Sequence, residues 1–102
     1  MFFMVSFSQK VWNLTKKIPK GKITTYKIIA EKLGTKAYRA VGNALNKNPY
    51  APIVPCHRVV GSNGDLAGYA HGLKKKAELL KKEGILVNGG KIADFEDSLF
   101  LF

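Results

Sequence analysis

Two short amphipathic segments separated by one glycine constrain the fold of this chain more than any other feature of its sequence. The first has Thr24 or Thr25 ahead of it as a cap and ends at Gly34, with apolar side chains at helical spacing. Its apolar stripe consists of Tyr26, Ile29, Ala30 and Leu33. Thr35 then caps a second helix, predicted over residues 36–46. Two short helices joined by a tight glycine turn are typical of a helix-turn-helix motif.

The helix over residues 36–46 has two contrasting faces. Small or aliphatic side chains form a stripe suited to burial: Ala37, Ala40, Val41, Ala44 and Leu45. The other face carries hydrogen-bonding side chains, namely Lys36, Arg39, Asn43 and Asn46. A slim helix of this kind fits a DNA groove as a recognition helix, although an ordinary amphipathic surface helix has the same pattern.

The charge of the chain favours the recognition helix. Seventeen basic residues against seven acidic ones give a net charge of +10 on 102 residues. A small domain this basic attracts polyanions, with nucleic acid as the first expectation and an anionic membrane surface as the second. Three of the acidic residues lie within the last nine positions, so the rest of the chain is still more basic. The charge therefore favours nucleic acid over a membrane surface as the partner.

The apolar spacing and turn residues in the rest of the chain predict a mainly α fold with a minor β component. One helix is predicted over residues 8–17 and another over about residues 73–83. Between the central helices and this last one, residues 53–60 form a short apolar run that we predict to be extended. Asn88-Gly89 is typical of a type I′ hairpin turn. Together these elements predict a small winged helix-turn-helix-like DNA-binding domain.

The length of the chain indicates one domain over residues 1–102, with a body over about 7–90 and an acidic, apolar tail over 91–102. The last five residues are expected to pack on the core or on a partner. No apolar run approaches the roughly 18 residues of a membrane span, and the N-terminus lacks the flanks of a secretory signal. One cysteine excludes an internal disulfide framework and, with two histidines, is too little for a structural zinc site. We expect a metal-free monomer in the reducing cytoplasm, associated with the nucleoid in a prokaryote.

Cys56 and His57 are consecutive residues with reactive side chains. A free thiol needs a base or a positive field to become a nucleophile, and His57 is a candidate base whose tautomer a carboxylate such as Glu83 would hold. Adjacent side chains of an extended segment point to opposite faces, so contact between these two requires a bridging water or a tight turn. A small buried cysteine beside a satisfied interior histidine explains the same residues. The residues alone therefore predict a basic helix-turn-helix domain and leave the reactivity of the thiol open.

A known family shares these features: residues 55–60, Pro-Cys-His-Arg-Val-Val, resemble the active-site signature of the O6-alkylguanine-DNA alkyltransferases (methylated-DNA–protein-cysteine methyltransferases). Further motifs resemble the family in order and at its spacing over about residues 7–90. They include Ile18-Pro19-x-Gly21, Thr25-Tyr26, Arg39-Ala40-Val41-Gly42-x-Ala44, Asn48-Pro49 and Leu79-Leu80-x-x-Glu83-Gly84. The resemblance implies DNA repair by irreversible transfer of an alkyl group from O6-alkylguanine in duplex DNA to the protein's own cysteine, without a cofactor. O4-alkylthymine is a second candidate substrate.

The resemblance also implies a role for each matching residue. Cys56 is the alkyl acceptor in a single displacement. His57 takes the thiol proton through a water molecule, and Glu83 orients and polarises His57. Tyr26 gives a proton or hydrogen bond to the guanine ring. Asn48 is a hinge between the recognition helix and the active-site segment.

DNA contacts and the substrate pocket follow from the same resemblance. Arg39 enters the base stack where the flipped nucleotide has left it, with the recognition helix in the minor groove. Further DNA-binding residues are Lys36, Asn43, Thr25 and Ala37. The substrate pocket is formed by Val59, Tyr69, Ala70, Pro55 and Arg58. Backbone groups of Cys56, Val59 and Ala70 surround the guanine, and Arg58 chiefly braces the site.

Two departures from the family pattern give further expectations. Most relatives carry an N-terminal domain, whereas about six residues precede the similar region here, so we expect any support from that domain to be absent. His71 stands where the family has a small glycine at the pocket rim. Its imidazole is expected to narrow the pocket, which predicts poorer transfer of large O6 substituents than of methyl.

Three other functions explain part of the sequence. A non-catalytic alkyltransferase-like lesion sensor shares the fold, but such relatives replace the cysteine that this chain retains as Cys56. A basic helix-turn-helix regulator leaves the Pro-Cys-His-Arg segment unexplained. A cysteine hydrolase leaves Arg39 and the lysine excess unexplained. Salt-dependent DNA binding separates the first two from the hydrolase, and covalent alkyl transfer separates the alkyltransferase from all three.

Overall fold

A computed structural model of the chain describes residues 6–49, 53–69 and 71–102. The elements are, in chain order, α1 (Phe7–Thr15), β1 (Thr24–Thr25), α2 (Tyr26–Lys32), α3 (Tyr38–Asn46), a 3₁₀ turn (Cys56–Arg58), β2 (Val59–Val60), α4 (Leu73–Lys82), β3 (Val87–Asn88), β4 (Lys91–Ile92) and α5 (Phe95–Ser98). The predicted fold class, a mainly α helix-turn-helix-like domain with a minor β component, is confirmed. None of the helices in these ranges is long and apolar enough to cross a membrane.

Helices α2 and α3 form the predicted helix-turn-helix pair. Thr25 caps α2 through its side-chain oxygen, and Gly34 takes a φ of +74° after the helix, a conformation that favours glycine. Helix α3 begins at Tyr38, two residues later than predicted. Thr35 Oγ1 accepts a hydrogen bond from the backbone N–H of Ala37 at 3.2 Å, which closes a local turn instead of capping the helix.

One hydrophobic core joins the first three helices to the 3₁₀ turn. The indole N–H of Trp12 donates to the backbone carbonyl of Ala44 at 2.8 Å, which fixes α1 against α3. The buried members of this core are Val11, Ile18, Ile29, Ala30, Val41, Ala44, Leu45, Cys56 and Val59. The cysteine is therefore part of the helical core and not of an exposed loop.

The parallel pairing of β1 with β2 brings the start of α2 beside the segment that follows Cys56. Thr24 pairs with Val59, and Thr25 pairs with Val60. Because neighbouring strand residues face opposite sides, Val59 belongs to the helical core and Val60 to a second cluster. The other buried members of the second cluster are Ile23, Leu66, Leu80, Ile85 and Ile92. The sheet thus separates the helix-turn-helix half from α4 and the hairpin.

Two further local predictions are wrong. Residues 56–58 form a 3₁₀ turn instead of an extended segment, preceded by Pro55 with φ −81° and ψ 66°. In the hairpin, Asn88 is the last residue of β3 and the turn consists of Gly89 and Gly90, with φ of +58° and +79°. A type I′ turn needs positive φ at both central residues, and a pair of glycines adopts it with less strain than Asn-Gly.

The C-terminal tail forms a short strand-like contact with Ile23, the residue before β1. The N–H of Ile23 donates to the carbonyl of Ser98 at 2.9 Å, and the N–H of Phe100 donates to the carbonyl of Ile23 at 2.7 Å, on either side of Leu99. Phe100 and Phe102 pack against the helical core, with their ring centroids 5.0 Å apart. Of the two predicted destinations for this apolar end, the structure places it on the core.

Candidate active site

Cys56 and His57 are buried together in the 3₁₀ turn, with 7% and 2% of their surfaces exposed. His57 Nε2 lies 3.1 Å from Glu83 Oε2. Because an ionised carboxylate only accepts hydrogen bonds, Nε2 carries the proton and Nδ1 carries a lone pair. That Nδ1 atom is buried and has no hydrogen-bond partner within the described ranges. The turn that holds the thiol therefore also holds an available proton acceptor.

The charge states of His57 and Glu83 follow from their surroundings. Burial lowers the pKa of His57 below its ordinary value of 6.5, although the hydrogen bond and negative charge of Glu83 raise it in part. Burial acts to raise the pKa of Glu83, but hydrogen bonds from Arg58 and His57 and their charges outweigh it and hold this pKa below its usual value. A neutral imidazole and an ionised carboxylate therefore face each other at neutral pH.

Arg58 fixes the carboxylate that orients the histidine. Its Nε donates to Glu83 Oε1 at 2.9 Å, and its Nη2 donates to Glu83 Oε2 at 2.5 Å. Nη1 donates to the backbone carbonyl of Ile18 at 2.7 Å. The planar guanidinium thus connects the end of α4 to the loop after α1, in a two-pronged geometry that lysine cannot reproduce. The bracing role of Arg58 stays a prediction, and these hydrogen bonds are the contacts through which it would act.

Lys76 is a site residue that the sequence analysis missed. It is 0% exposed, and its ammonium group donates to three backbone carbonyls: those of Val59 at 2.6 Å, Leu66 at 2.5 Å and Gly68 at 3.0 Å. Three N–H donors meet three acceptors, which matches the protonated form of lysine. Burial lowers the pKa of Lys76 to about 8, while negative charge at Cys56 acts to raise it.

One signal in the sequence pointed to Lys76. It lies three residues after Leu73 and four before Leu80, on the apolar stripe predicted for the last helix. A lysine within such a stripe is either a break in the pattern or a buried cation. The structure shows the second case, and it leaves Leu73 half exposed.

Two tyrosines lie close enough to Cys56 for its charge to act on them. Burial, with a smaller contribution from negative charge at Cys56, raises the pKa of Tyr26 to about 12. The Tyr26 hydroxyl donates to the carbonyl of Gly68 at 3.4 Å, and Lys76 Nζ lies 5.9 Å from its ring centroid. Burial is also the main reason why the pKa of Tyr69 is raised. Negative charge at Cys56 and a hydrogen bond between the two side chains raise it further. Both phenols stay protonated and can serve as donors at neutral pH.

An open cavity of about 380 Å³ lies along α3. Its α3 wall consists of Tyr38, Arg39, Gly42, Asn43 and Asn46. The remaining lining comes from Tyr26, Ala67 and Gly68. Tyr26 is thus shared by the cavity and the surroundings of Cys56. The cavity collects two of the predicted DNA-binding residues, Arg39 and Asn43, on the exposed face of α3.

The other predicted DNA-binding residues are placed differently. Lys36 and Ala37 are exposed but precede α3, so they do not lie on a helix face, and Ala37 is not in the buried stripe as predicted. Thr25 is 3% exposed, and its Oγ1 accepts from the N–H of Ile28 at 3.0 Å. Its side chain therefore caps α2 and does not reach an outer surface.

Four of the five predicted pocket residues lie within the described ranges, and none of these four lines the α3 cavity. Pro55 and Val59 are buried on either side of Cys56, and the Val59 carbonyl, predicted to bind guanine, already accepts from Lys76. Ala70 lies outside the described residues. His71 is exposed and meets the Tyr69 ring edge-on, with the ring centroids 5.4 Å apart.

Asn48 joins the end of α3 to the chain that enters the 3₁₀ turn. Its Nδ2 donates to the carbonyl of Val54 at 2.9 Å. This contact ties the end of α3 to the segment that leads to Cys56, and the hinge role of Asn48 stays a prediction.

The fold and the site together define a small helix-turn-helix domain that holds a buried cysteine and histidine and a partly buried glutamate, with one exposed face on α3. The family described as "6-O-methylguanine DNA methyltransferase, DNA binding domain" matches residues 6–85 of this sequence. The chain belongs to this family.

Individual relatives agree with the family match. A methylated-DNA–protein-cysteine methyltransferase of Methanosarcina acetivorans is 58% identical over 79 residues, which are 76% of this chain and 51% of the relative. The chain spans about half the length of the curated relatives it matches. Among solved structures, Mycobacterium tuberculosis OGT in complex with DNA has a TM-score of 0.75 at 45% identity, over 79% of this chain and 51% of that one. S. pombe Atl1, in complex with damaged DNA containing O6-carboxymethylguanine, has a TM-score of 0.82 at 27% identity, over 97% and 98% of the two chains.

Proposed function

We propose that this chain repairs DNA by accepting the alkyl group of O6-alkylguanine on Cys56, once per molecule. The observation that carries the proposal is the contact between Glu83 and the buried His57, which follows Cys56 in the same 3₁₀ turn. This arrangement offers a thiol, a proton acceptor and a fixed carboxylate within a chain of the alkyltransferase family. The names of the relatives, methylated-DNA–protein-cysteine methyltransferases, support the same activity.

The reaction is a single displacement in which the sulfur of Cys56 replaces O6 of guanine on the alkyl carbon. The thiol proton of Cys56 passes to Nδ1 of His57 through a water molecule, and Glu83 stabilises the imidazolium that forms. The thiolate attacks the alkyl carbon, a C–S bond forms, and the C–O6 bond breaks with its electron pair on the guanine. Tyr26 donates a proton to the guanine ring, so neutral guanine leaves, and the proton taken up by His57 returns to the Tyr26 phenolate through solvent. The thioether is stable, and each molecule reacts once.

Access to O6 requires the base to leave the duplex, at a cost of a few kcal/mol in lost stacking and pairing. Arg39, exposed on α3 beside the cavity, is placed to fill the gap in the base stack. Gly42 and its alanine neighbours keep α3 slim enough for the minor groove. The lysine excess supplies affinity that does not depend on sequence, so binding weakens as salt rises.

The rate of transfer is expected to depend on the size of the alkyl group because of His71. Its imidazole lies edge-on to Tyr69, a predicted pocket residue. We expect wild-type protein to transfer methyl faster than benzyl, and His71→Gly to raise the benzyl rate relative to the methyl rate by roughly 10-fold, the effect of about 1.4 kcal/mol of steric cost. Equal benzyl-to-methyl ratios in the two proteins would contradict this role.

Mass spectrometry of the intact protein and its peptides tests the proposed reaction directly. The protein is incubated with duplex DNA containing O6-methylguanine, with Cys56→Ala as the matched control. One added methyl group on the peptide that contains Cys56, absent from the control, is the expected result. No mass gain at all, with DNA still bound, would reject transfer.

A second candidate is recognition of the lesion without transfer. The observation that favours it is the match to S. pombe Atl1 over nearly the whole length of both chains. In that case wild-type protein and Cys56→Ala bind the lesion-containing duplex equally tightly, and neither gains mass. The mass measurement therefore separates the two candidates.

A further inference from the structure

Tyr38 is an exposed aromatic residue that none of the roles above uses. It is the first residue of α3 and the only aromatic one in that helix. Its side chain is 40% exposed, although a ring of this size gains more by full burial. Among the described residues no hydrogen bond to its hydroxyl is present. The packing of the fold therefore does not account for it.

The surroundings of Tyr38 point to DNA. The ring lines the α3 cavity together with Arg39 and Asn43. The other α3 residues that line the cavity are Gly42, Asn43 and Asn46, so α3 contributes one aromatic ring, Tyr38, and one cation, Arg39. A flat ring beside a cation at a cavity mouth is the combination with which proteins stack on unpaired bases irrespective of sequence.

We propose that Tyr38 stacks its ring against the nucleotide next to the flipped one, while Arg39 fills the gap that the flipped base leaves. This inference rests on the proposed binding of alkylated duplex DNA. The two side chains then have different roles. Arg39 occupies the position of the flipped base in the stack, and Tyr38 stacks on the adjacent nucleotide. Tyr38 determines affinity for opened DNA and takes no part in bond making or breaking.

The test compares substitutions at one position. Fluorescence anisotropy with a labelled duplex containing O6-methylguanine gives the dissociation constant, and single-turnover assays give the rate of methyl transfer. Tyr38→Ala and Tyr38→Leu are expected to raise the dissociation constant about 10-fold, because both remove the aromatic face. Tyr38→Phe and Tyr38→Trp are expected to bind like wild type. Leu86→Ala, which truncates a residue 62% exposed outside the cavity, is the control for loss of surface apolar area.

Two further readouts separate stacking from other effects. An uncharged ring releases no counterions, so Tyr38→Ala leaves the slope of log affinity against log salt unchanged, whereas Lys36→Ala reduces it by about one unit if it contacts a phosphate. The rate on duplex DNA relative to the rate on free O6-benzylguanine base falls about 10-fold in Tyr38→Ala, because the free base has no neighbouring nucleotide.

The outcomes distinguish this inference from the proposed function. Wild-type affinity in Tyr38→Ala, or equal affinity in the leucine and tryptophan variants, overturns the role of Tyr38 and leaves alkyl transfer intact. If wild-type protein binds the lesion but gains no methyl group, transfer is rejected, and the dissociation constants still decide the role of Tyr38. If wild-type protein does not bind the duplex, both are rejected.

Discussion

The ammonium group of Lys76 donates a hydrogen bond at 2.6 Å to the backbone carbonyl of Val59, a residue that lies three positions after Cys56. The same ammonium holds the carbonyls of Leu66 and Gly68, which belong to the loop that reaches the α3 cavity. One buried cation therefore joins the active-site segment to the wall of the cavity. Its positive charge also lies close enough to Cys56 for the two to interact electrostatically.

Replacing Lys76 by methionine is expected to lower both stability and transfer. The substitution leaves three buried carbonyls without their donor, and each unsatisfied group costs about 1–3 kcal/mol, offset in part because a buried charge is also removed. We expect a net loss of about 2 kcal/mol in the free energy of unfolding, measured by urea denaturation. Lys75→Met, at an exposed neighbouring position, is the matched control and should change stability by less than about 0.5 kcal/mol. Equal midpoints for the two variants would show that the three hydrogen bonds do not stabilise the fold.

The rate of methyl transfer is expected to fall in acid with an apparent pKa below 6.5. Proton acceptance requires neutral His57, and burial lowers the pKa of this histidine, so the neutral form persists to lower pH than in a free imidazole. The decline in rate should therefore lie at lower pH than the protonation of a free imidazole. Single-turnover rates between pH 5 and 8 give this profile.

Glu83→Gln tests the cause of that acid limb. The hydrogen bond and negative charge of Glu83 raise the pKa of His57, so their removal lowers it further. The decline in rate should therefore move to lower pH, while the level rate above it falls because the imidazole is less well held. An acid limb that moves to higher pH would contradict the assignment of His57 as the proton acceptor.

The two arginines allow one substitution to be compared in two environments. Arg58→Lys keeps the positive charge but loses the two-pronged contact with Glu83 and the bond to Ile18, so we expect a loss of about 1–2 kcal/mol in unfolding free energy. Arg39→Lys, on an exposed helix face, should leave stability within about 0.5 kcal/mol of wild type. Thermal denaturation of both variants measures the difference. An equal effect at the two positions would mean that Arg58 does not brace the site.

The C-terminal tail is expected to stabilise the helical core. Phe100→Ala removes a partly buried ring from that core and should lower the free energy of unfolding by about 1–2 kcal/mol. Leu101→Ala, at the next position, removes a side chain that is 65% exposed and should have little effect. Urea denaturation of the pair measures this. Similar losses in both variants would show that the tail acts through its backbone contacts with Ile23 and not through Phe100.

The helix-turn-helix pair could be predicted because its signals are local. The spacing of apolar residues, the Thr25 cap and Gly34 all act within one or two turns of helix, and the structure confirms them. The start of α3 was wrong by two residues because Thr35 has two local hydrogen-bonding options, and only the surrounding structure selects between them. The extended segment predicted at residues 56–58 was wrong because a short apolar run does not distinguish a strand from a tight turn.

The sequence by itself determined the fold class, the basic character and the membership of the family, since these depend on composition and on motifs read along the chain. The pairing of His57 with Glu83 was already predicted from the sequence and the family resemblance. Only the tertiary structure showed that Arg58 binds the same carboxylate, and that Lys76 is buried under three carbonyls from 8 to 17 residues away along the chain. The physical reason is that a pairing between distant residues is fixed by the packing of whole elements, here the parallel pairing of β1 with β2 and the docking of α4, which no local spacing encodes.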